Sequence, residues 1–386
     1  CVEIASAVPR FCDASVAGEH SSVGRLVVSV AALEEREADS RPLTSDPSRK
    51  QMKLTKSIIA SMFAGLLTAG RLLAADVDVI DKQTAANSDY GLDTLDGDRT
   101  WTADNTYILT DRLYVAEGNT LTIEAGTKVY STFDDKGTMA ADDDTVGAII
   151  VARGGKLIVE GTANNPVIFD ALQTLEAERG MDLPYDPDAV AGPAPTATTS
   201  GLWGGVVVLG SAYVARTDAS GVNLGDDIIE GFTPVGATDL DGDGSDILEY
   251  GFDGRFARDD EDSSGVLRYV SIRHGGYTFG TDNEINGLTL GGVGRDTIID
   301  HVEVVANNDD GVEFFGGTVN TTHLVVAFAA DDSFDIDQGH CGTHQFWFAI
   351  QNPNAGDNLG EWDGVDGVVK SDADASITAS KPAIYN

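Results

Sequence analysis

The segment from Asp239 to Gly244 has the acidic spacing that begins a calcium-binding loop. Asp239, Asp241 and Asp243 stand at positions 1, 3 and 5, and Gly244 stands at position 6, where such loops turn sharply. The pattern departs from a complete loop at position 12, where Tyr250 replaces the expected acidic ligand. The residues predict a metal site in a calcium-stiffened loop, and a flexible acidic loop is the alternative.

A second group of carboxylates recurs at a fixed distance along the chain. Asp309 and Asp310 are followed 22 residues later by Asp331 and Asp332. If the two pairs lie on adjacent coils, charges about 5 Å apart repel by roughly 1 kcal/mol in water and about 3 kcal/mol at an effective dielectric of 20. A calcium ion, which takes six to eight oxygen ligands, would relieve this repulsion. A solvated acidic turn without a metal is the alternative.

Three further acids are the weak candidates for catalysis. Glu313, Asp335 and Asp337 alternate with apolar residues, which places them on the outer face of predicted strands. Paired carboxylates are the groups that hydrolyse glycosidic bonds. Columns of acids also arise on any acidic repeat protein, so a purely structural role remains open.

Two histidines and a tryptophan are the candidates for ligand binding. His301 and His323 are 22 residues apart, and the alternation places Trp347 on the same outer surface. The histidine pair could hold a transition metal, since imidazole is the commonest metal ligand, and Trp347 could stack on a sugar. The alternative is a pair of solvent-facing histidines, because no third ligand is evident nearby.

These residues lie in a repeat that predicts the architecture. The segment 301–306 matches 323–328, which in turn matches 345–350. Alternating apolar residues indicate strands, and several short strands in a period of about 20 residues indicate a solenoid. We therefore predict an all-β fold, a parallel β-helix.

The alternation also predicts which side chains fill the interior. Strands present successive residues to opposite faces. The predicted inward residues are Val302, Val304, Val312, Phe314, Leu324, Val326, Phe334, Ile336, Phe346 and Phe348; the predicted outward residues are His301, Glu303, His323, Val325, Gln345 and Trp347.

The remaining segments differ from the repeats in composition. Residues 76–106 are polar and are interpreted as an N-terminal cap, which a solenoid needs to cover its first coil. The β-helix is expected over 107–386, with loop insertions at 171–200 and 216–264 where function often resides. The last residues resemble the beginning of a strand, so we expect the natural protein to continue further.

The segment 52–75 has the layout of a secretory signal peptide. A basic start leads into an apolar stretch and a small-residue cleavage site. A transmembrane anchor is the alternative, but the stretch is short and interrupted. We therefore expect a secreted or cell-surface protein without an integral membrane span, translated from Met52, with residues 1–51 a non-native upstream extension.

The charge of the chain restricts its partners. It carries 63 acidic and 25 basic residues, a formal net charge of −38. Such a surface repels phosphates, so nucleic acid is excluded as a partner. Cations and basic or neutral polymers are the electrostatically permitted partners.

Several segments carry a resemblance to a known group of proteins. Residues 154–169, 203–210, 264–276 and 360–364 resemble exported bacterial right-handed parallel β-helix proteins of the pectate-lyase-like superfamily. The resemblance covers about residues 107–386 and rests mostly on turn and core residues. It implies a right-handed β-helix, but the group carries no activity that transfers residue by residue, since fold does not imply function.

The wider superfamily includes polysaccharide lyases, hydrolases and adhesins. A lyase of this fold needs a cation and a Lys or Arg base, for which Arg268 and Arg273 are candidates. An enzyme should therefore gather one of these arginines and at least two carboxylates in one groove. We expect instead a non-catalytic extracellular β-helix, stabilised by calcium, that binds polysaccharide or a cell surface. A polysaccharide lyase or glycoside hydrolase is the alternative.

Overall fold

The computed structural model describes residues 93–94, 97–134, 145–180, 183, 194–231, 247–280, 283–352, 354–367 and 379–386. All of them belong to one compact unit, Ala74–Asn386. The predicted upstream extension (1–51) and signal peptide (52–75) therefore lie outside the described residues. None of the helices among the described residues is long and apolar enough to cross a membrane.

Two long parallel sheets run the length of the described chain, because the chain returns to each sheet once per coil. Strands are numbered in chain order. The 8-stranded sheet has the order β1 (Asp93–Thr94), β4 (Arg112–Val115), β9 (Ala148–Val151), β12 (Val206–Leu209), β18 (Leu288–Gly291), β20 (Val312–Phe315), β22 (Phe334–Asp337) and β25 (Glu361–Trp362). All of these strands pair in parallel, and the predicted parallel β-helix is confirmed.

The 12-stranded sheet has a main path and a side branch. The main path is β2 (Arg99–Trp101), β5 (Thr120–Ile123), β10 (Lys156–Glu160), β15 (Gly265–Arg273), β19 (Ile298–Val305), β21 (Asn320–Ala327), β23 (Thr343–Gln345) and β26 (Ala383–Tyr385). The branch consists of β3 (Thr106–Leu109), β6 (Lys128–Ser131) and β11 (Val167–Ala171) and joins the path at β15, whereas β24 (Phe348–Ile350) pairs separately with β21. Because β15 pairs with both β10 and β11, it turns the corner between two faces of the solenoid.

Side chains from the inner faces of both sheets fill the interior. The predicted inward residues of β19 to β22 are all buried, among them Val302, Phe314, Leu324 and Ile336. They belong to one continuous apolar cluster. Stacking identical coils buries this cluster without any further layer, as expected for a solenoid.

The corner of the sheet is made by residues with positive φ. Tyr269, His301, His323 and Phe346 have φ of 49°, 56°, 54° and 61°. A left-handed residue interrupts the strand and bends it, and it costs on the order of 1–3 kcal/mol for a residue other than glycine. At each corner, two consecutive residues therefore point outward and the alternation is broken.

The last coil corrects three orientations predicted from the repeat. Thr321 pairs with His344, and Val325 pairs with Phe348, so this period is 23 residues long rather than 22. A slip of one residue moves every side chain to the opposite face. Trp347 is consequently inside, 8% exposed, whereas Phe348 is 56% exposed and Phe346 also faces solvent. The outward Trp347 and the inward Phe346 and Phe348 were wrong predictions.

The two insertions cover parts of the outer surface. Helix α1 (Leu172–Arg179) lies at the start of the first insertion, and Leu172 and Leu175 pack on Ile108 and Tyr130 outside the solenoid. The second insertion contains the hairpin β13 (Asp226–Ile228) and β14 (Glu249–Gly251) and packs on the outer face of the 8-stranded sheet. Two smaller hairpins are β7 (Phe133–Asp134) with β8 (Thr145–Val146) and β16 (Thr278–Gly280) with β17 (Asn283–Glu284).

A buried arginine fixes the second insertion to the solenoid. Arg153 forms ion pairs with Glu249 at 2.6 Å and with Asp253 at 2.7 Å, and its guanidinium lies over the ring of Phe256. The same guanidinium donates a hydrogen bond to the carbonyl of Gly251. The insertion thus becomes part of the wall, and it buries outward side chains of the sheet beneath it.

Candidate functional site

The acidic turns of successive coils lie against each other, as the repeat predicted. They precede β20 and β22, and the backbone N–H of Asp332 donates a hydrogen bond of 2.8 Å to Oδ1 of Asp310. Carboxylate oxygens of Asp309, Asp310 and Asp331 lie within 4.8 Å of one another. The four aspartates therefore form one cluster at the edge of the 8-stranded sheet.

Strand residues extend this cluster along the wall. Glu313, Asp335 and Glu361 occupy the same register position on β20, β22 and β25. Carboxylate oxygens of Asp310, Glu313 and Asp335 lie within 4.8 Å of one another. We call Asp309, Asp310, Glu313, Asp331, Asp332, Asp335 and Glu361 the acidic column.

Glu313 is deeply buried although it points away from the interior. The side-chain amide of Asn286 donates a hydrogen bond to it, and Glu230 of the second insertion contributes to its electrostatic environment. Sequence alternation found the outward direction of Glu313 but not its burial. The cover comes from the insertion, which is distant in sequence.

Burial and mutual repulsion favour the protonated forms of these acids. Burial and the neighbouring Asp309 raise the pKa of Asp310 to about 9. Burial and nearby carboxylates raise the pKa of Glu313 well above its usual range, and burial raises that of Asp335 to about 6. A hydrogen bond with Asp332 and, as a smaller cause, slight burial raise the pKa of Glu361 to about 7. The column thus concentrates carboxyl groups that are costly to ionise together.

Basic side chains do not balance the charges of the three central acids of the column. Among the described residues, no Lys or Arg forms an ion pair with Asp310, Glu313 or Asp335. Several buried oxygens nearby also form no hydrogen bond: Oδ2 of Asp332, Oδ1 of Asp335, Oγ of Ser333 and Oδ1 of Asn286. Unpaired buried oxygens are uncommon, and carboxylate and amide oxygens are calcium ligands. The donor set of the acidic column therefore fits a hard divalent cation.

The candidate calcium loop of the second insertion lies outside the part of the chain that the structure describes. Asp239, Asp241 and Asp243 lie outside the described residues, between the described ends at 231 and 247. That metal site stays a prediction from the sequence.

The weak catalytic candidates are divided between the two sheets. Arg268 and Arg273 lie on β15 of the 12-stranded sheet, whereas Glu313, Asp335 and Asp337 lie on the 8-stranded sheet. The structure does not bring these five residues into one groove. Burial also separates Glu313 from any substrate in solvent.

The arginines have carboxylate partners on their own sheet. Arg268 lies 3.4 Å from Glu160 and 3.9 Å from Asp300. Arg273 lies 3.2 Å from Glu303. Arg268 alone therefore meets the requirement of one arginine beside two carboxylates, with partners that the sequence did not single out.

The two ligand-binding histidines form part of a ring column at the corner. The rings of Tyr269, His301, His323 and Phe346 stack in succession, with centroids 4.3, 4.1 and 4.8 Å apart. Both histidines are partly exposed, as predicted. Trp347 is not part of this surface and stacks inside on Phe334, at 4.3 Å between centroids.

Two other histidines were missed and are buried inside the solenoid. His340 Nδ1 lies 2.7 Å from the carbonyl of Gly316, and the Nε2 atoms of His340 and His344 lie 3.0 Å apart. Thr321 Oγ1 lies 2.9 Å from His344 Nδ1 and also accepts a hydrogen bond from Trp347 Nε1. Their spacing of four residues does not indicate burial, because the 22-residue repeat misplaces the strands of the last coil by one position.

Only one comparison with known proteins gives a match. A family model described as a pectate-lyase like beta helix domain matches residues 93–180 and 190–386. No curated protein and no solved structure matches the chain. The matched ranges contain β1 to β26 and the whole acidic column.

Proposed function

The chain belongs to the family of pectate-lyase-like β-helix domains, and we propose that it is a non-catalytic extracellular or surface protein. In this proposal calcium stabilises the acidic column, and an uncovered face of the solenoid binds polysaccharide or a cell-surface glycan. The signal-peptide pattern at 52–75 supports export. N-terminal sequencing of secreted material tests that part, and a protein retained in the cytoplasm would contradict it.

One observation carries the calcium part of the proposal. Asp310, Glu313 and Asp335 bring three carboxylates within 4.8 Å of one another without a basic partner among the described residues. Ionised carboxylates at this distance need a counter-charge, and calcium accepts as many oxygens as the column offers. A bound ion would also tie β20 to β22 and thereby stabilise adjacent coils.

Thermal unfolding of the full chain tests the calcium part. Calcium should raise Tm relative to chelator, since a ligand that binds only the folded state stabilises it. Asp310→Asn should lose most of this rise, and Asp296→Asn, which changes an exposed acid outside the column, should keep it. Equal calcium-dependent shifts in both variants would contradict the assignment.

The face opposite the second insertion supports a role in polysaccharide binding. On the outer surface of the 12-stranded sheet, Phe348 and Ile350 are exposed. Glu303 lies two strands from Phe348 in the same outward column, with Val325 between them. Sugar recognition commonly combines an exposed aromatic ring with polar and charged groups. Phe348 occupies the position on this surface that was predicted for Trp347.

A polysaccharide array probed with the full chain in calcium tests this part. Dextran and chitosan represent the neutral and basic polymers that the charge of the chain permits, and polygalacturonate is the acidic comparison. Phe348→Ala should weaken any binding without changing Tm, whereas Leu359→Ala, at an equally exposed apolar residue elsewhere, should not. Binding that is unaffected by Phe348→Ala would place the polysaccharide site elsewhere.

The alternative function, a polysaccharide lyase or glycoside hydrolase, is favoured by one contact set. Arg268 lies beside Glu160 and Asp300 on the open face, where a polymer could reach it. Incubation of the full chain with polygalacturonate tests for a lyase through the ultraviolet absorbance of unsaturated products. Product formation that disappears in Arg268→Ala would replace the non-catalytic proposal with this one.

A further inference from the structure

The positive φ of His301 places an unexpected carboxylate beside the two corner histidines. Strict alternation would direct Asp300 inward if His301 points outward. Because His301 has φ of 56°, both residues point outward and Asp300 is only partly buried. Alternation in the sequence therefore did not predict that Asp300 lies beside the histidine pair as a third ligand.

Three donor atoms converge at this corner. Nδ1 of His301 lies 2.8 Å from Oδ1 of Asp300, and Nδ1 of His323 lies 2.9 Å from the same oxygen. All three atoms lie within 4.8 Å of one another. They come from adjacent strands β19 and β21, whose pairing fixes their spacing.

One of these atoms has no partner in the hydrogen-bond network. Nδ1 of His301 is buried, and its 2.8 Å contact with Oδ1 of Asp300 is not a well-aligned hydrogen bond. His323 Nδ1 and Thr322 Oγ1 already bond to the same carboxylate oxygen, at 2.9 and 2.7 Å. A proton shared between Nδ1 of His323 and Oδ1 of Asp300 accounts for the position of His323. It does not account for the position of His301.

We propose that Asp300, His301 and His323 form a binding site for one divalent transition-metal ion of the zinc class. Two imidazole nitrogens and one carboxylate oxygen are a ligand set that zinc uses, with water or another exchangeable ligand in the fourth position. Ligand atoms around a tetrahedral zinc ion lie roughly 3.3 Å apart, given metal–ligand distances of about 2.0–2.1 Å. Each histidine nitrogen needs to move about half an ångström away from Oδ1 of Asp300, which the partly exposed histidines can accommodate.

Neighbouring groups orient the carboxylate for this role. Thr322 donates to Oδ1 of Asp300, and Nε of Arg268 lies 3.9 Å from Oδ2. Partners of this kind hold a metal ligand in position and tune its affinity. The ring stacking with Tyr269 and Phe346 restricts the histidines from both sides.

The proposed site differs from the acidic column in location and in chemistry. It lies on the 12-stranded sheet and contributes nitrogen donors, whereas the column lies on the 8-stranded sheet and offers oxygens only. Imidazole suits zinc, nickel and copper, and calcium prefers carboxylate and carbonyl oxygens. Saturating calcium should therefore leave the site available to zinc.

Calorimetric titration of the untagged full chain with Zn²⁺, in excess calcium, tests the proposal. His323→Asn and His301→Asn are suitable variants because asparagine tolerates positive φ, so the corner should keep its conformation. Each should weaken zinc binding by at least about tenfold, the lower end of the loss seen when even an outer-shell partner is removed. Glu303→Gln, on the same strand and outside the cluster, and Asp310→Asn, in the acidic column, are the controls.

The outcomes separate the proposal from its competitors. Zinc binding that is lost in both histidine variants and kept in both controls supports the site, provided that Tm without zinc is unchanged. No zinc binding to the wild type overturns it. Zinc binding that survives both histidine substitutions, or that is lost in Asp310→Asn, overturns it as well and places the ion elsewhere.

Discussion

At the scale of single residues, the acidic column shows how burial changes the chemistry of ordinary aspartates. The repeat spacing predicted that Asp309, Asp310, Asp331 and Asp332 would meet, and they do. It could not predict that Glu313 is buried, because Glu230 and the rest of the insertion beside it are far away in sequence. Protons or a cation must therefore balance the column, and the two compete.

This competition predicts an unusual dependence of stability on pH in the presence of chelator. The pKa of Asp310 is about 9 in the folded protein, above its usual 3.8, so the folded state holds a proton that the unfolded chain loses. Its stabilising contribution is complete below about pH 4 and is lost as pH rises through about 9. Asp310→Asn resembles the protonated acid. It should therefore reduce the loss in free energy of unfolding over this pH range, by several kcal/mol at most.

Thermal unfolding of both proteins across this pH range, in chelator, makes the measurement. Glu313 and Asp335 change stability in the same direction, and the buried His340 and His344 change it in the opposite direction. The comparison of variant with wild type removes these shared contributions. A decline of equal steepness in both proteins would show that Asp310 does not hold the proton.

The buried histidines have one consistent assignment of their protons. The carbonyl of Gly316 accepts, so His340 must carry its proton on Nδ1 and accept through Nε2 from His344 Nε2–H. Nδ1 of His344 then accepts from the hydroxyl of Thr321, which itself accepts from Trp347. Both rings are neutral in this arrangement, and an added proton would break it.

Nitrogen NMR of histidine-labelled protein should show this pair of tautomers. Burial lowers the pKa of His340 to about 4, and burial together with His340 lowers that of His344. Both rings should therefore stay neutral while His301 and His323 are followed as partly exposed references. Titration of His340 or His344 near pH 6.5 would contradict the assignment.

At the scale of strands, the alternation of inward and outward residues fails at the corner residues and in the last coil, whose register is shifted by one residue. Alternation within β19 to β22 identified the interior correctly, because nearly ideal strands have a period of two. It failed where a positive-φ residue interrupts the strand, as at His301 beside Asp300, and where one extra residue precedes Trp347. Backbone conformation of this kind has no signature in a histidine, a tyrosine or a phenylalanine.

Adjacent substitutions in the last coil test the corrected register. Trp347→Ala should lower the free energy of unfolding by about 3–5 kcal/mol, the usual cost of removing a buried aromatic side chain. Phe348→Ala should change it by no more than about 0.5 kcal/mol, because that ring is exposed. Denaturant unfolding of the two variants makes the comparison, and a larger loss for Phe348→Ala would restore the 22-residue register.

At the scale of the whole molecule, the two walls of the solenoid differ. The second insertion covers part of the 8-stranded sheet and, with Arg153 as its anchor, encloses Glu313 of the acidic column. The 12-stranded sheet carries the exposed Phe348 and the corner histidines. The formal charge of −38 favours cations as partners of both walls, and in the column Asp310, Glu313 and Asp335 have no basic partner among the described residues.

Calorimetric titration of the full chain with Ca²⁺ at neutral pH, in two buffers of different ionisation enthalpy, tests the central claim most directly. Because burial raises the pKa of Asp310 to about 9 and that of Glu313 well above its usual range, calcium binding should release protons into the buffer. The double variant Asp310→Asn, Glu313→Gln keeps the shape of the protonated acids, and it should bind calcium at least about tenfold more weakly without this release. Wild-type binding that releases no protons, or that the double variant retains, would contradict a calcium site in the acidic column.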